Sequence, residues 1–129
     1  MKTDTKKLRI VMVDDDDDLQ EIVRGWLTPG YEHVPLSNGN NLAELLAGLA
    51  PDLLILDVRM PGRDGFNLCG ALRRDGRFDS LPILFLTGAK EDMDFAANLN
   101  AGGSAFLTKP VARGALLRAI EDLVGGGKS

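Results

Sequence analysis

The chain has a single cysteine, Cys69, so no internal disulfide is available to it. A lone thiol suits a reducing compartment. Its place within an apolar helical pattern reads as a small core residue, not a reactive group. There is also one histidine, His33, on or near a weak strand. With no second catalytic partner in evidence, it is read as a surface or partly buried structural residue. Nothing at the N-terminus resembles a secretory signal, because Asp4 interrupts it and no sufficient apolar stretch follows. The longest strongly apolar run, LLIL at 53–56, is far too short to span a bilayer. Basic residues are outnumbered 15 to 19 by acidic ones, and at a net charge of −4 no direct nucleic-acid binding is expected. Internal repeats and a second domain are lacking too. These absences point to a cytoplasmic protein with no membrane contact, folded as one domain of 129 residues that is 44% apolar and can bury a substantial core.

What is present is an alternation of strand and helix patterns. LRIVMV at 8–13 is a short apolar run rich in β-branched residues, the mark of a buried strand. Leu19, Ile22, Val23, Trp26 and Leu27 then recur at helical spacing, until Pro29-Gly30 ends the pattern. A weak strand follows near His33–Leu36, then a turn at Asn38-Gly39 and a second helix marked by Leu42, Leu45, Leu46 and Leu49. Residues 53–56 form a third strand, followed by the loop DVRMPGRDG and a helix carrying Phe66, Cys69 and Leu72. PILFL at 82–86 is a fourth strand, 91–101 a weaker helix, and AFL at 105–107 a fifth strand. Leu116, Leu117, Ile120, Leu123 and Val124 mark a last helix before the tail GGGKS at 125–129. Strands without polar alternation, separated by helices, predict an α/β fold. Its centre is a doubly wound, five-stranded parallel sheet covered on both faces by five helices, a flavodoxin-like three-layer sandwich. The strand order 2-1-3-4-5 suits five strands, and its crevice opens at the carboxyl ends of the first and third.

That crevice explains part of the run of five aspartates, Asp14 to Asp18, that follows the first strand. Asp14 and Asp15 end the first strand and Asp57 ends the third, so three carboxylates converge. The run alone leaves open which aspartate ends the strand. Two such charges about 4 Å apart repel by about 4 kcal/mol at an effective dielectric of about 20. A hard divalent cation relieves this, and all-oxygen ligation with few protein groups suits Mg²⁺. Asp16, Asp17 and Asp18 fall at the helix start, as cap and first turn, where exposed N–H groups favour negative charge. Thr87 and Lys109 also follow strands and point to the same crevice. A hydroxyl and an ammonium beside three carboxylates compose a phosphoryl site, with Asp57 as nucleophile.

The set VDD at 13–15, LDVRMPGRDG at 56–65, LTGA at 86–89 and FLTKPV at 106–111 resembles the receiver domain of two-component response regulators. The resemblance covers nearly the whole chain, with 1–124 as receiver and 125–129 as flexible tail or start of a linker. It implies a phosphorylatable switch, not a turnover enzyme. Asp57 would take a phosphoryl group from a histidine kinase or phosphotransfer protein. Asp14, Asp15 and Asp57 would hold Mg²⁺ with the Arg59 main-chain carbonyl, and Thr87 and Lys109 would contact the phosphoryl oxygens. The Lys109–Pro110 peptide would be cis. Phe106 would turn inward as Thr87 moves, reshaping the face of the fourth helix, fifth strand and fifth helix toward an unknown target or output domain. Ser104 and Ala105 stand where many members carry an acidic pair, so a homodimer built on those acids is not expected, while other homodimers stay open. The Arg59 side chain either shields the phosphoryl group or projects into solvent.

Rival patterns are weaker. A phosphohydrolase of the haloacid-dehalogenase type needs a second aspartate where Arg59 stands. A flavodoxin-like cofactor binder needs a glycine- and hydroxyl-rich loop where the aspartates lie. Asp14, Asp16 and Asp18 mimic a calcium loop, but Leu19 and Gly25 occupy its essential glycine and glutamate positions. GGGKS ends like a phosphate-binding loop, but Asp122 replaces the first glycine. Arg73, Arg74 and Arg77 read as a solvated helix end.

Overall fold

The computed structural model describes residues 7–60, 64–88 and 104–125. Five parallel strands form one sheet in the order β2-β1-β3-β4-β5: β1 (Arg9–Val13), β2 (Glu32–Leu36), β3 (Leu53–Asp57), β4 (Ile83–Thr87) and β5 (Ala105–Thr108). This is the expected order. Four helices lie within the described residues: α1 (Asp17–Leu27), α2 (Leu42–Leu49), α3 (Gly65–Asp75) and a C-terminal helix (Arg113–Gly125). The helix expected over 91–101 lies outside them.

The central strands β3 and β4 are buried at every position, which is why their sequences lack polar alternation. Their side chains divide between two cores. On one face Val11, Val13, Leu54, Leu56, Ile83 and Phe85 pack against Leu42 and Leu46 of α2 and Leu68, Cys69 and Leu72 of α3. On the other, Ile10, Met12, Leu53, Ile55, Leu84 and Leu86 meet Val23 and Leu27 of α1 and Leu116 and Ile120 of the C-terminal helix. Each such side chain stabilises the fold by about 2 kcal/mol through burial. The period-2 alternation between the faces fixes the register, because a one-residue slip would exchange the two cores.

Local chemistry starts and stops the helices. Asp16 caps α1 by accepting the Leu19 N–H, and Asp17 and Asp18 fill the first turn, as their positions in the run suggest. Asp64 caps α3 in the same way through Asn67, and Gly76 ends it at φ 88°, where a side chain is unfavourable. Pro35 lies within β2, which is tolerable because β2 is an edge strand. Arg73 is not simply solvated: its guanidinium donates to the Phe78 carbonyl. No helix among the described residues is long and apolar enough to cross a membrane.

Candidate functional site at the carboxyl edge of the sheet

The parallel arrangement puts every strand's carboxyl end on one edge, and the polar strand-end residues gather there. Asp57 is the last residue of β3, and Val13 of β1 pairs with Leu56, so Asp14 emerges beside Asp57. Asp14, Asp15 and Asp57 each bring a carboxylate oxygen within 4.8 Å of the others. Asp14 and Asp57 are buried at 0% and 2% exposure, whereas Asp15 faces solvent. The run's register is therefore settled: Asp14 leaves β1 pointing inward and Asp16 is already the helix cap.

Lys109 follows β5 and reaches back over the cluster, with Nζ 3.2 Å from Asp14 Oδ2 and 3.4 Å from Asp57 Oδ1. Its backbone N–H donates to the Thr87 carbonyl at 2.8 Å, so the ends of β4 and β5 are joined at the site. The Lys109–Pro110 peptide is cis, as the resemblance implied. Thr28–Pro29 is also cis, with no forewarning in the sequence.

One ammonium does not neutralise two buried carboxylates. Burial first, and the neighbouring Asp14 charge second, push the Asp57 carboxyl up to about 6, against the attraction of Lys109 and the Arg59 N–H. Burial alone would lower the Lys109 ammonium, but Asp14 and Asp57 outweigh it and hold its pKa above the ordinary lysine value. Asp14 Oδ1 accepts the Asp16 N–H at 2.9 Å. Asp14 Oδ2 is fully buried and accepts no hydrogen bond; Lys109 Nζ lies at ion-pair distance without hydrogen-bond geometry. A buried carboxylate oxygen that shares one ammonium with Asp57, beside two further carboxylates, belongs to the donor set a small hard cation takes.

Thr87 ends β4 at 1% exposure. Phe106 on β5 pairs with Phe85, is half-buried and packs against the core cluster of α2 and α3. By strand alternation Thr87, Phe85 and Phe106 share one sheet face. Arg59 is exposed, and its main-chain N–H donates to Asp57 Oδ1 at 3.3 Å.

Two residues of the site were not foreseen from the sequence. Gly65 donates its N–H to the Val58 carbonyl at 2.8 Å, and a Cβ there would stand 2.5 Å from the Asp57 carbonyl oxygen. The first turn of α3 therefore lies directly on the end of β3. Gln20 of α1 is buried, and its amide donates to the carbonyls of Met12, Asp14 and Leu36 at 2.9, 3.2 and 3.2 Å. Its signal was present: Gln20 falls at helical spacing with Val23 and Leu27, a polar residue on the inner stripe.

Comparison with known proteins agrees with this geometry. The family profile described as response regulator receiver domain matches residues 10–121. Response regulator MprA of Mycobacterium leprae is 41% identical over 118 residues, which is 91% of this chain and 51% of that protein. Transcriptional regulatory protein AfsQ1 of Streptomyces coelicolor is 35% identical over 103 residues, 79% of this chain and 44% of that protein. The chain thus spans about half the length of these curated relatives. Among solved structures, the signal receiver domain of a histidine kinase from Syntrophus aciditrophicus superposes with a TM-score of 0.82 at 30% identity, covering 93% of this chain and 92% of that one. Vibrio cholerae chemotaxis protein CheY4 gives 0.81 at 26%, covering 92% and 99%. The phosphohydrolase alternative is not favoured by these matches. A doubly wound sheet whose carboxyl edge gathers three aspartates and a lysine, matched along most of its length by this profile, belongs to the response regulator receiver domain family.

Proposed function

We propose that this chain is a phosphorylatable switch in which Asp57 is the phosphoacceptor. A carboxylate oxygen of Asp57 attacks the phosphorus of a phosphohistidine on a histidine kinase or phosphotransfer protein. The P–N bond breaks, and its electron pair stays on the imidazole nitrogen, which takes up a proton from solvent. Lys109 balances charge on the phosphoryl oxygens and Thr87 donates a hydroxyl to one of them. Mg²⁺, held by Asp14, Asp15, Asp57 and the Arg59 main-chain carbonyl, supplies the remaining charge neutralisation when bound. The observation that carries this reading is the approach of three carboxylates to within 4.8 Å, with a lysine ammonium 3.2 and 3.4 Å from two of them.

The phosphoryl group adds charge and strong acceptors at Asp57. Thr87 moves to bond the new oxygen, and Phe106 fills the space it leaves on the same sheet face. The surface of β5 and the C-terminal helix then controls a partner protein or an output domain. Residues 1–124 form the receiver, and 125–129 a tail or the start of a linker. The domain works in the cytoplasm and turns over no substrate beyond its own phosphorylation and dephosphorylation. Ser104 and Ala105 supply no carboxylate at the entry to β5, so no acidic-pair dimer is expected there.

The test is incubation with acetyl phosphate and Mg²⁺, read by intact mass. One added phosphoryl group is expected on the wild type, and none on Asp57→Asn. An unmodified wild type, or an equally modified variant, refutes the assignment.

A further inference from the structure

The buried residues of α1 are Gln20, Val23 and Leu27, so a carboxamide sits where an apolar side chain would pack without a desolvation cost. Both ends of that carboxamide are satisfied. Gln20 Nε2 faces three carbonyls, Met12 and Asp14 from the end of β1 and Leu36 from the end of β2. Gln20 Oε1 accepts the Nε2–H of His33 at 3.0 Å. The Leu36 carbonyl is shared, since it also accepts the Asp14 backbone N–H at 3.0 Å. The main chain of Asp14 is thus held on both sides, at its N–H by Leu36 and at its C=O by Gln20. Its side chain is held at Oδ1 by the Asp16 N–H. Only Oδ2 is left without a hydrogen bond, and it faces the Lys109 ammonium that Asp57 shares.

The three carbonyls and His33 together fix which way round the carboxamide lies. Its ring donates from Nε2, and its buried Nδ1 has no hydrogen-bond partner, which is the pattern of a neutral imidazole with its proton on Nε2. Burial, and then the nearby Arg24 guanidinium, hold its pKa below the ordinary histidine value, against the opposing Glu21 carboxylate. A donor at Oε1 prevents the amide from exchanging its oxygen and nitrogen. That exchange would set an oxygen against three carbonyl oxygens.

We propose that Gln20, oriented by His33, is a positioning residue that presets the Asp14 carboxylate for a divalent cation. The inference rests on reading Asp14, Asp15 and Asp57 as the metal site. It adds the support that holds one ligand in place before the ion arrives.

The test is the Mg²⁺ dissociation constant of the unphosphorylated chain, measured by titration calorimetry. Gln20→Met keeps length and volume but loses every donor, and should bind Mg²⁺ about tenfold more weakly. His33→Leu should weaken binding in the same direction, and His33→Gln, which keeps a donor, should restore it. Leu116→Ala, a core truncation on the C-terminal helix, should lower stability and leave the Mg²⁺ constant unchanged. In an amide-resolved spectrum the Gln20 side-chain NH₂ protons should exchange slowly in the wild type and faster in His33→Leu. Wild-type affinity in Gln20→Met, or equal weakening in Leu116→Ala, overturns the positioning role and leaves the metal site standing. If Gln20→Met does not fold, the His33 pair decides: equal affinities in Leu and Gln variants overturn it. A wild type that binds no Mg²⁺ overturns the metal site, and the positioning role with it.

Discussion

Replacing Asp57 by asparagine should stabilise the metal-free protein, and the gain should depend on pH. An ordinary aspartate titrates near 3.8, and Asp57 in the folded chain near 6. Above pH 7 it carries a charge that the fold disfavours by about 3 kcal/mol relative to the open chain. The attraction of Lys109 is already included in that difference. The sign follows from proton binding. Between pH 3.8 and about 6 the folded state holds more protons at this residue than the unfolded one. This contribution to stability is therefore complete below 3.8 and lost as pH rises through about 6. Asparagine carries no charge, so the variant escapes the loss. In EDTA at pH 7.5 its melting temperature should exceed that of the wild type by up to about 10 °C. At pH 4 the difference should nearly vanish. Calorimetric melts across this range provide the check. A variant that melts at or below the wild type at pH 7.5, or a gap that does not shrink toward pH 4, would refute the electrostatic account of the cluster.

The proposed metal site exists only in the folded chain, so Mg²⁺ at about a hundred times its dissociation constant should stabilise the wild type by about 2.7 kcal/mol. Asp14→Asn should lose most of that rise in melting temperature. Gly65→Ala should cost about 2 kcal/mol in urea unfolding, since its Cβ would press on the Asp57 carbonyl oxygen from 2.5 Å and the contact is with backbone. It should also slow phosphorylation by acetyl phosphate, whereas Gly48→Ala, with nothing within 4 Å of its added Cβ, should do neither.

The architecture was legible because the strands are buried on both faces. LLIL and PILFL read as central strands of a covered sheet, and 2-1-3-4-5 is the doubly wound order that suits five strands. Asp57 and Thr87 were legible for the same reason, each being the first polar residue after an apolar run; the structure includes both as the last residues of β3 and β4. Lys109 needed topology as well as pattern, because only the parallel sheet brings it within 3.4 Å of Asp57. Gln20 is hidden in the pattern because Leu19 and Ile22 complete an apolar helix face, although Ile22 is half exposed and Gln20 is the buried one. The role of Gly65 was hidden for a different reason. A glycine after aspartate signals a turn or helix start, and nothing in the spacing says that its missing side chain makes room for a carbonyl on another element. The partner of His33 lies across the boundary between β2 and α1, a contact that periodicity cannot encode.

The hydrogen bond from the Lys109 amide to the Thr87 carbonyl has a mechanical consequence. The two residues assigned to grip a phosphoryl group share a main-chain bond, so neither can be displaced without pulling on the other. Substituting the threonine side chain would remove a hydroxyl but leave this tether intact. Any shift of the fourth strand's tip would still reach the fifth strand through the backbone, with Phe106 carried three residues upstream of the point of attachment.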